Sequence, residues 1–122
     1  MSFACIEGMM PAMQAYSSLG EFEQLVLLAV LQLGDEAYAV PVRDLITTRT
    51  NRNVARGALY TALERLEAKA LLHSRLGEPL AERGGRPRRY FTVTPDGVAL
   101  LREARAAVAN LSQGLESVLE RP

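Results

Sequence analysis

Residues 55–93 read ARGALYTALERLEAKALLHSRLGEPLAERGGRPRRYFTV, and the change of period inside this stretch decides the fold. From Ala55 to Ala70 the apolar residues Leu59, Ala62, Leu63 and Leu66 return every three or four positions, the spacing of one helix face. Leu71 to Leu76 then reads as a short strand. Gly77 to Pro87 holds three glycines and two prolines, which interrupt any regular element. Arg89-Tyr-Phe-Thr-Val93 alternates and is rich in β-formers, so it returns as a second strand. The stretch is therefore a helix followed by a hairpin, whose loop carries Arg83, Gly84, Gly85 and Arg86.

Upstream, Ala39 to Arg49 reads as a helix with Pro41 in its first turn, where backbone donors are free, and with Val42, Leu45 and Ile46 inward. The polar run Thr47 to Asn53 is expected to be the turn into the next helix. Before it, Gly20 to Leu33 is apolar on most sides. Phe22, Leu25, Val26, Ala29, Val30 and Leu33 form one stripe, while Leu27, Leu28 and Leu31 widen it. Such a helix needs two burial partners, a core and a second subunit. Gly34 and Asp35 end it. Downstream, Thr94 is an N-cap, Pro95 opens a helix and Asp96 sits in its first turn. Leu101, Ala104, Val108, Leu111, Leu115 and Val118 follow as a heptad seam. Three regions result: a leader over residues 1–18, a globular unit over 19–93, and a terminal helix over 94–122.

The chain has 122 residues and a formal net charge of zero. That zero hides a strong asymmetry. Residues 1–48 carry one basic and six acidic side chains, whereas residues 49–89 carry ten basic and four acidic, a local charge of +6. Local field matters more than the total when the partner is a polyanion. The other function classes find little support. A single cysteine, Cys5, excludes an internal disulfide framework and fits a reducing cytoplasm. The longest apolar run, Leu25 to Leu31, is too short for a membrane span, and the first residues lack a basic signal region. There is no phosphate-binding glycine loop, no Gly-x-Ser-x-Gly elbow and no His-Glu-x-x-His. The lone histidine, His73, sits in a strand with no ligand cluster, so neither catalysis nor a bound cofactor or metal is expected.

Three helices, a basic hairpin and a terminal helix are the order of a winged helix-turn-helix, a mainly α fold with a β-hairpin wing. The major groove of B-DNA, about 12 Å wide, admits one helix whose N-terminal part reaches base edges. A wing with long cations and a slender tip fits the narrower minor groove. The third helix offers Arg56, Tyr60, Thr61, Arg65 and, near its end, Lys69. The wing offers Arg83, Arg86, Arg88 and Arg89, with Gly84 and Gly85 permitting close backbone approach.

Three segments, in order and spacing, resemble the PadR family of bacterial regulators: Leu19 to Leu28, Gly57 to Glu67, and Gly84 to Gly97. The resemblance covers about Leu19 to Leu115. It implies a homodimeric winged helix, usually a repressor, on a pseudo-palindromic operator in double-stranded DNA. It also implies a phosphate contact for Tyr60 and a wing tip at Gly84, Gly85 and Arg86, and it admits a small hydrophobic or aromatic effector. Two departures stand out. Where the family has a small hydroxyl residue and proline at the start of the recognition helix, this chain has Ala55 and Arg56, which leaves Asn53 as the candidate N-cap and places it among the expected DNA-binding residues. Only one helix follows the wing, as in the short members of the family. The first and last helices are then the expected dimer interface, through Phe22, Leu27, Leu28, Leu101, Ala104, Val108, Leu111, Leu115 and Val118.

Several positions admit two readings. Tyr60 either meets phosphate or packs half-buried on the hairpin. Arg65 either faces DNA or pairs with a nearby acid. Arg88 and Arg89 point to opposite faces of their strand, so one of them meets the backbone. The terminal heptad packs either on its own core or on a partner. At the level of function, the alternative to a DNA-binding repressor is a winged-helix module whose basic wing meets an acidic protein.

Overall fold

The first helix, α1 (Glu21–Leu33), starts where Glu23 reaches back to accept the Gly20 N–H at 3.1 Å, and it ends at Gly34 with φ +58°. In the computed structural model, which describes residues 19–79 and 87–120, Val26, Leu27, Ala29 and Val30 of α1 are buried. Leu27 is 0% exposed within the single protomer, so it belongs to the core and has no surface left for a partner subunit. Phe22 and Leu28 are half-buried against the same core.

A 3₁₀ turn (Gly34–Glu36) leads to Ala37, whose carbonyl accepts the N–H of Phe91 at 2.8 Å. This bond fastens the second strand of the wing to the start of α2 (Ala39–Thr50). Helix α2 runs one residue past the expected end at Arg49 and takes in Thr47 to Thr50, the start of the polar run. The Thr50 hydroxyl donates to the Ile46 carbonyl at 2.6 Å, and Asn51 closes the helix in the left-handed region with φ +58°. Arg43 Nε then donates to the Val54 carbonyl at 2.8 Å, so a side chain of α2 fixes the connection into α3 (Arg56–Ala68).

Helix α3 has Ala55 at its N-cap and no side-chain capping bond. Asn53 is exposed and does not cap it, contrary to expectation, because the extended backbone of Ala55 already delivers the chain into the first turn. The other end is a Schellman closure: Leu71 N–H donates to Leu66 O at 2.9 Å and Ala70 N–H to Glu67 O at 3.0 Å, with Ala70 at φ +63°.

Strands β1 (Leu72–Pro79) and β2 (Pro87–Val93) pair antiparallel, with Leu72 opposite Val93 and Arg75 opposite Tyr90. Both run longer than expected, and the register shifts between Leu76 and Pro79. Leu72, Phe91 and Val93 point into the core beside Leu59, Leu63 and Leu66 of α3. Fully burying a side chain of this size contributes about 1.5–3 kcal/mol. The N-cap expectation for Thr94 is met: its hydroxyl accepts the Gly97 N–H at 3.0 Å and donates to the Ala70 carbonyl at 2.8 Å.

Helix α4 (Pro95–Ser112) divides into two halves. Leu101 and Ala104, expected at the dimer interface, are 4% and 8% exposed and join the protomer core instead. Val108 and Leu111 beyond them are 65% and 86% exposed. The continuous heptad helix is not formed. Gln113 leaves the helical region, Gly114 has φ +90°, and a short α5 (Glu116–Leu119) carries Val118 after a turn that includes Leu115.

Candidate nucleic-acid interface

The core-facing residues of α3 are Leu59, Ala62, Leu63 and Leu66. At 3.6 residues per turn, the opposite ridge is Gly57, Thr61, Glu64 and Ala68, all exposed. Tyr60 and Arg56 lie on the flank nearer the wing, and Arg65 lies on the other flank. Tyr60 is 46% exposed. It borders a groove of about 730 Å³ between the start of α2, α3 and β2, which Val40, Glu64 and Arg89 also line. On the other flank, Thr61 and Arg65 border a second concavity against Phe22 at the start of α1.

The cations divide by what they touch. Arg56 and Arg65 on α3 and Arg89 on β2 are exposed and make no ion pair with a described residue. Arg52 pairs with Glu21 at 2.9 Å across an exposed contact. Lys69 does not face outward as a free group; its Nζ lies 3.3 Å from Glu23 Oε1 and 3.4 Å from Oε2. Arg88 sits 4.3 Å above the Tyr38 ring, Arg75 sits 4.7 Å above the Tyr90 ring, and the two tyrosines meet edge to face at 5.5 Å. A side-chain hydrogen bond with Tyr90 is the main cause that raises the Arg88 pKa above its ordinary value. Arg88 thus lies over the Tyr38 ring and bonds to the Tyr90 side chain, while Arg89, one residue on, stands exposed.

The wing-tip candidates Arg83, Gly84, Gly85 and Arg86 lie outside the described residues. Tyr38, Arg75 and Tyr90 were missed by sequence reasoning. The Arg75–Tyr90 contact follows from the strand register, which fixes them as cross-strand partners. The approach of Tyr38 depends on the tertiary bond from Phe91 to Ala37, and no local signal announces it. Glu64 stands exposed on the outward ridge.

This surface presents an exposed helix ridge, a groove shared with a basic wing, and cations on both flanks. Among the described residues, no group of three or more His, Cys, Asp or Glu side chains is placed to hold a metal ion. No helix among them is long and apolar enough to cross a membrane. The family model described as the transcriptional regulator PadR-like family matches residues 27–103, from within α1 to within α4. The chain belongs to the PadR-like family. Its members are transcriptional regulators and not enzymes, and this function implies DNA binding.

Solved PadR structures agree with the fold. A PadR-like transcription factor from Bacteroides fragilis is 25% identical, with 87% of this chain and 97% of that one aligned at a TM-score of 0.63. A PadR family transcriptional regulator from Eggerthella lenta is also 25% identical, over 100% of this chain and 99% of that one, at 0.62. A PadR-like regulator from Bacillus cereus, at 20% identity and a TM-score of 0.65 over 89% of this chain and 99% of its own, shares the fold. No curated protein matches the sequence.

Proposed function

We propose that the protein is a homodimeric, sequence-specific repressor that occupies a pseudo-palindromic operator, with α3 in the major groove and the wing on the adjacent minor groove. The observation that carries this reading is the outward ridge of α3, set between the exposed cations Arg56 and Arg89 on one side and Arg65 on the other. Phosphate contacts from such flanks fix register, and the ridge between them is left for base edges.

The dimer is supported by apolar surface that a lone protomer leaves in water. Val108, Leu111, Leu115 and Val118 are all exposed on α4 and after it, and Phe22 and Leu28 are only half-buried. A two-fold dimer places its recognition helices about 34–36 Å apart, matching half-sites one turn of DNA apart. The effector role falls to a groove of about 420 Å³ between α1, α2 and α4, which Leu25, Leu28, Leu45 and Ile46 line beside Arg49 and Arg105. A ligand there regulates only if it binds the DNA-competent and incompetent dimers differently. A thermal-shift screen with aromatic acids and hydrophobic cations tests it, and the absence of any shift counts against an effector.

Gel shifts at stepped salt with genomic duplex from the gene's own promoter test the main reading. Tyr60→Ala and Arg86→Ala are expected to weaken binding. Unchanged binding in both variants would remove these residues from the interface. No binding to any duplex would return the chain to a protein-contact module.

A further inference from the structure

We infer that Glu64 is a specificity-determining residue that selects cytosine at one position of each half-site. The inference rests on the DNA-binding reading above. On the outward ridge of α3, Gly57 and Ala68 are too short to reach a base edge, and a Cβ built at Gly57 would meet nothing within 4 Å. Thr61 and Glu64 are the two ridge side chains able to hydrogen bond.

Glu64 is exposed and has no hydrogen bond or ion pair with any described residue. Its helix neighbours three and four positions away are Tyr60, Thr61, Glu67 and Ala68, none of them a cation, so the helix does not neutralise it. Among the described residues, the exposed cations near α3 stand on its flanks and a carboxylate without a partner stands on the crest. A carboxylate is repelled by phosphate, and in the major groove it meets hydrogen only at the amino groups of cytosine N4 and adenine N6. Adenine places the N7 lone pair beside its amino group, which repels a second carboxylate oxygen. Cytosine has no acceptor of its own beside N4 on that edge. Cytosine is therefore the base this side chain accepts best.

The test is selection from a randomised duplex pool, read by sequencing, with the full-length protein and its Glu64→Ala and Glu64→Gln variants. Both changes lie on an exposed helix face, and circular dichroism checks folding. The wild type is expected to enrich cytosine at one position per half-site by roughly tenfold over other bases. Glu64→Ala levels that position and leaves the others unchanged. Glu64→Gln moves the preference to adenine, whose N6 and N7 suit an amide. Cytosine retained in both variants would overturn the assignment. So would equal tightening of both variants on every sequence, which marks a general electrostatic brake. A wild type that retains no duplex overturns the DNA-binding reading itself, a result distinct from either.

Discussion

Arg65→Ala and Lys69→Ala each remove one positive charge from the same end of α3, and the structure assigns them different consequences for DNA. Arg65 is exposed and has no ion pair with a described residue. Lys69 lies within 3.4 Å of both oxygens of Glu23, in a pair whose side chains are only 28% and 11% exposed. A free cation that neutralises one phosphate releases counterions, worth about 0.9 in the slope of log affinity against log salt. A dimer carries the substitution twice. Arg65→Ala is therefore expected to flatten the slope by about 1.8, with a uniform loss of affinity across sequences. Lys69→Ala removes a cation already held by a carboxylate, not one free to neutralise a phosphate, and leaves the slope unchanged. It lowers stability by about 1 kcal/mol or more, because Glu23 is left partly buried with only the Gly20 N–H as partner. Fluorescence anisotropy on a labelled duplex at stepped salt, beside urea unfolding at matched protein concentration, separates the two. Equal slope losses would refute the reasoning, because they would mean that Glu23 releases Lys69 when DNA arrives.

The closure of α3 predicts that Ala70→Gly stabilises the protein. A side chain at φ +63° costs about 1–2 kcal/mol and the added freedom of glycine in the unfolded chain offsets about half, so the thermal midpoint should rise by about 4 °C. Gly97→Ala is expected to destabilise by about 2 kcal/mol. A Cβ there would collide with the Leu71 carbonyl oxygen and lie 2.8 Å from Val93 Cγ1, and a lowered urea midpoint reports it. Arg43→Ala removes the bond to Val54 O and should lower stability by about 1 kcal/mol. It also weakens duplex binding in the gel shift, because the entry of α3 loses its tether.

What the sequence made legible were features whose cause is local. Thr94, Pro95 and Asp96 specify a helix start through one hydroxyl, one fixed φ and one charge, and the helix begins there. The buried set of α3 matches its apolar period without exception. What failed was set by tertiary contact. Leu27 and Leu101 carry the same apolar side chain as Leu111, and periodicity could not tell a core that closes within one protomer from a seam between two. The heptad spacing runs on through Gly114, but a glycine at φ +90° breaks the helix that would carry it. At the interface, composition gave the number of cations and not their partners, because the approach of Glu23 to Lys69 and of Tyr38 to Arg88 joins residues more than forty positions apart.

Those partners change how the +6 block is understood. Of the basic residues between Arg49 and Arg89 that the structure describes, Arg52 and Lys69 face carboxylates, and Arg75 and Arg88 are stacked on tyrosines. Arg49 lines the groove beside α4, away from the α3 ridge. Arg56, Arg65 and Arg89 remain exposed near that ridge, with the Glu64 carboxylate on its crest. Non-specific affinity for DNA comes almost wholly from free cations. On the proposed reading, few free cations among the described residues near the ridge, together with an acidic group that phosphate repels, keep the contribution of α3 to that background small. On the proposed reading, tight binding then requires two protomers on two half-sites with the ridge matched to its bases. The ratio of specific to non-specific affinity, which decides occupancy in a genome, gains more from this arrangement than it would from a more basic helix.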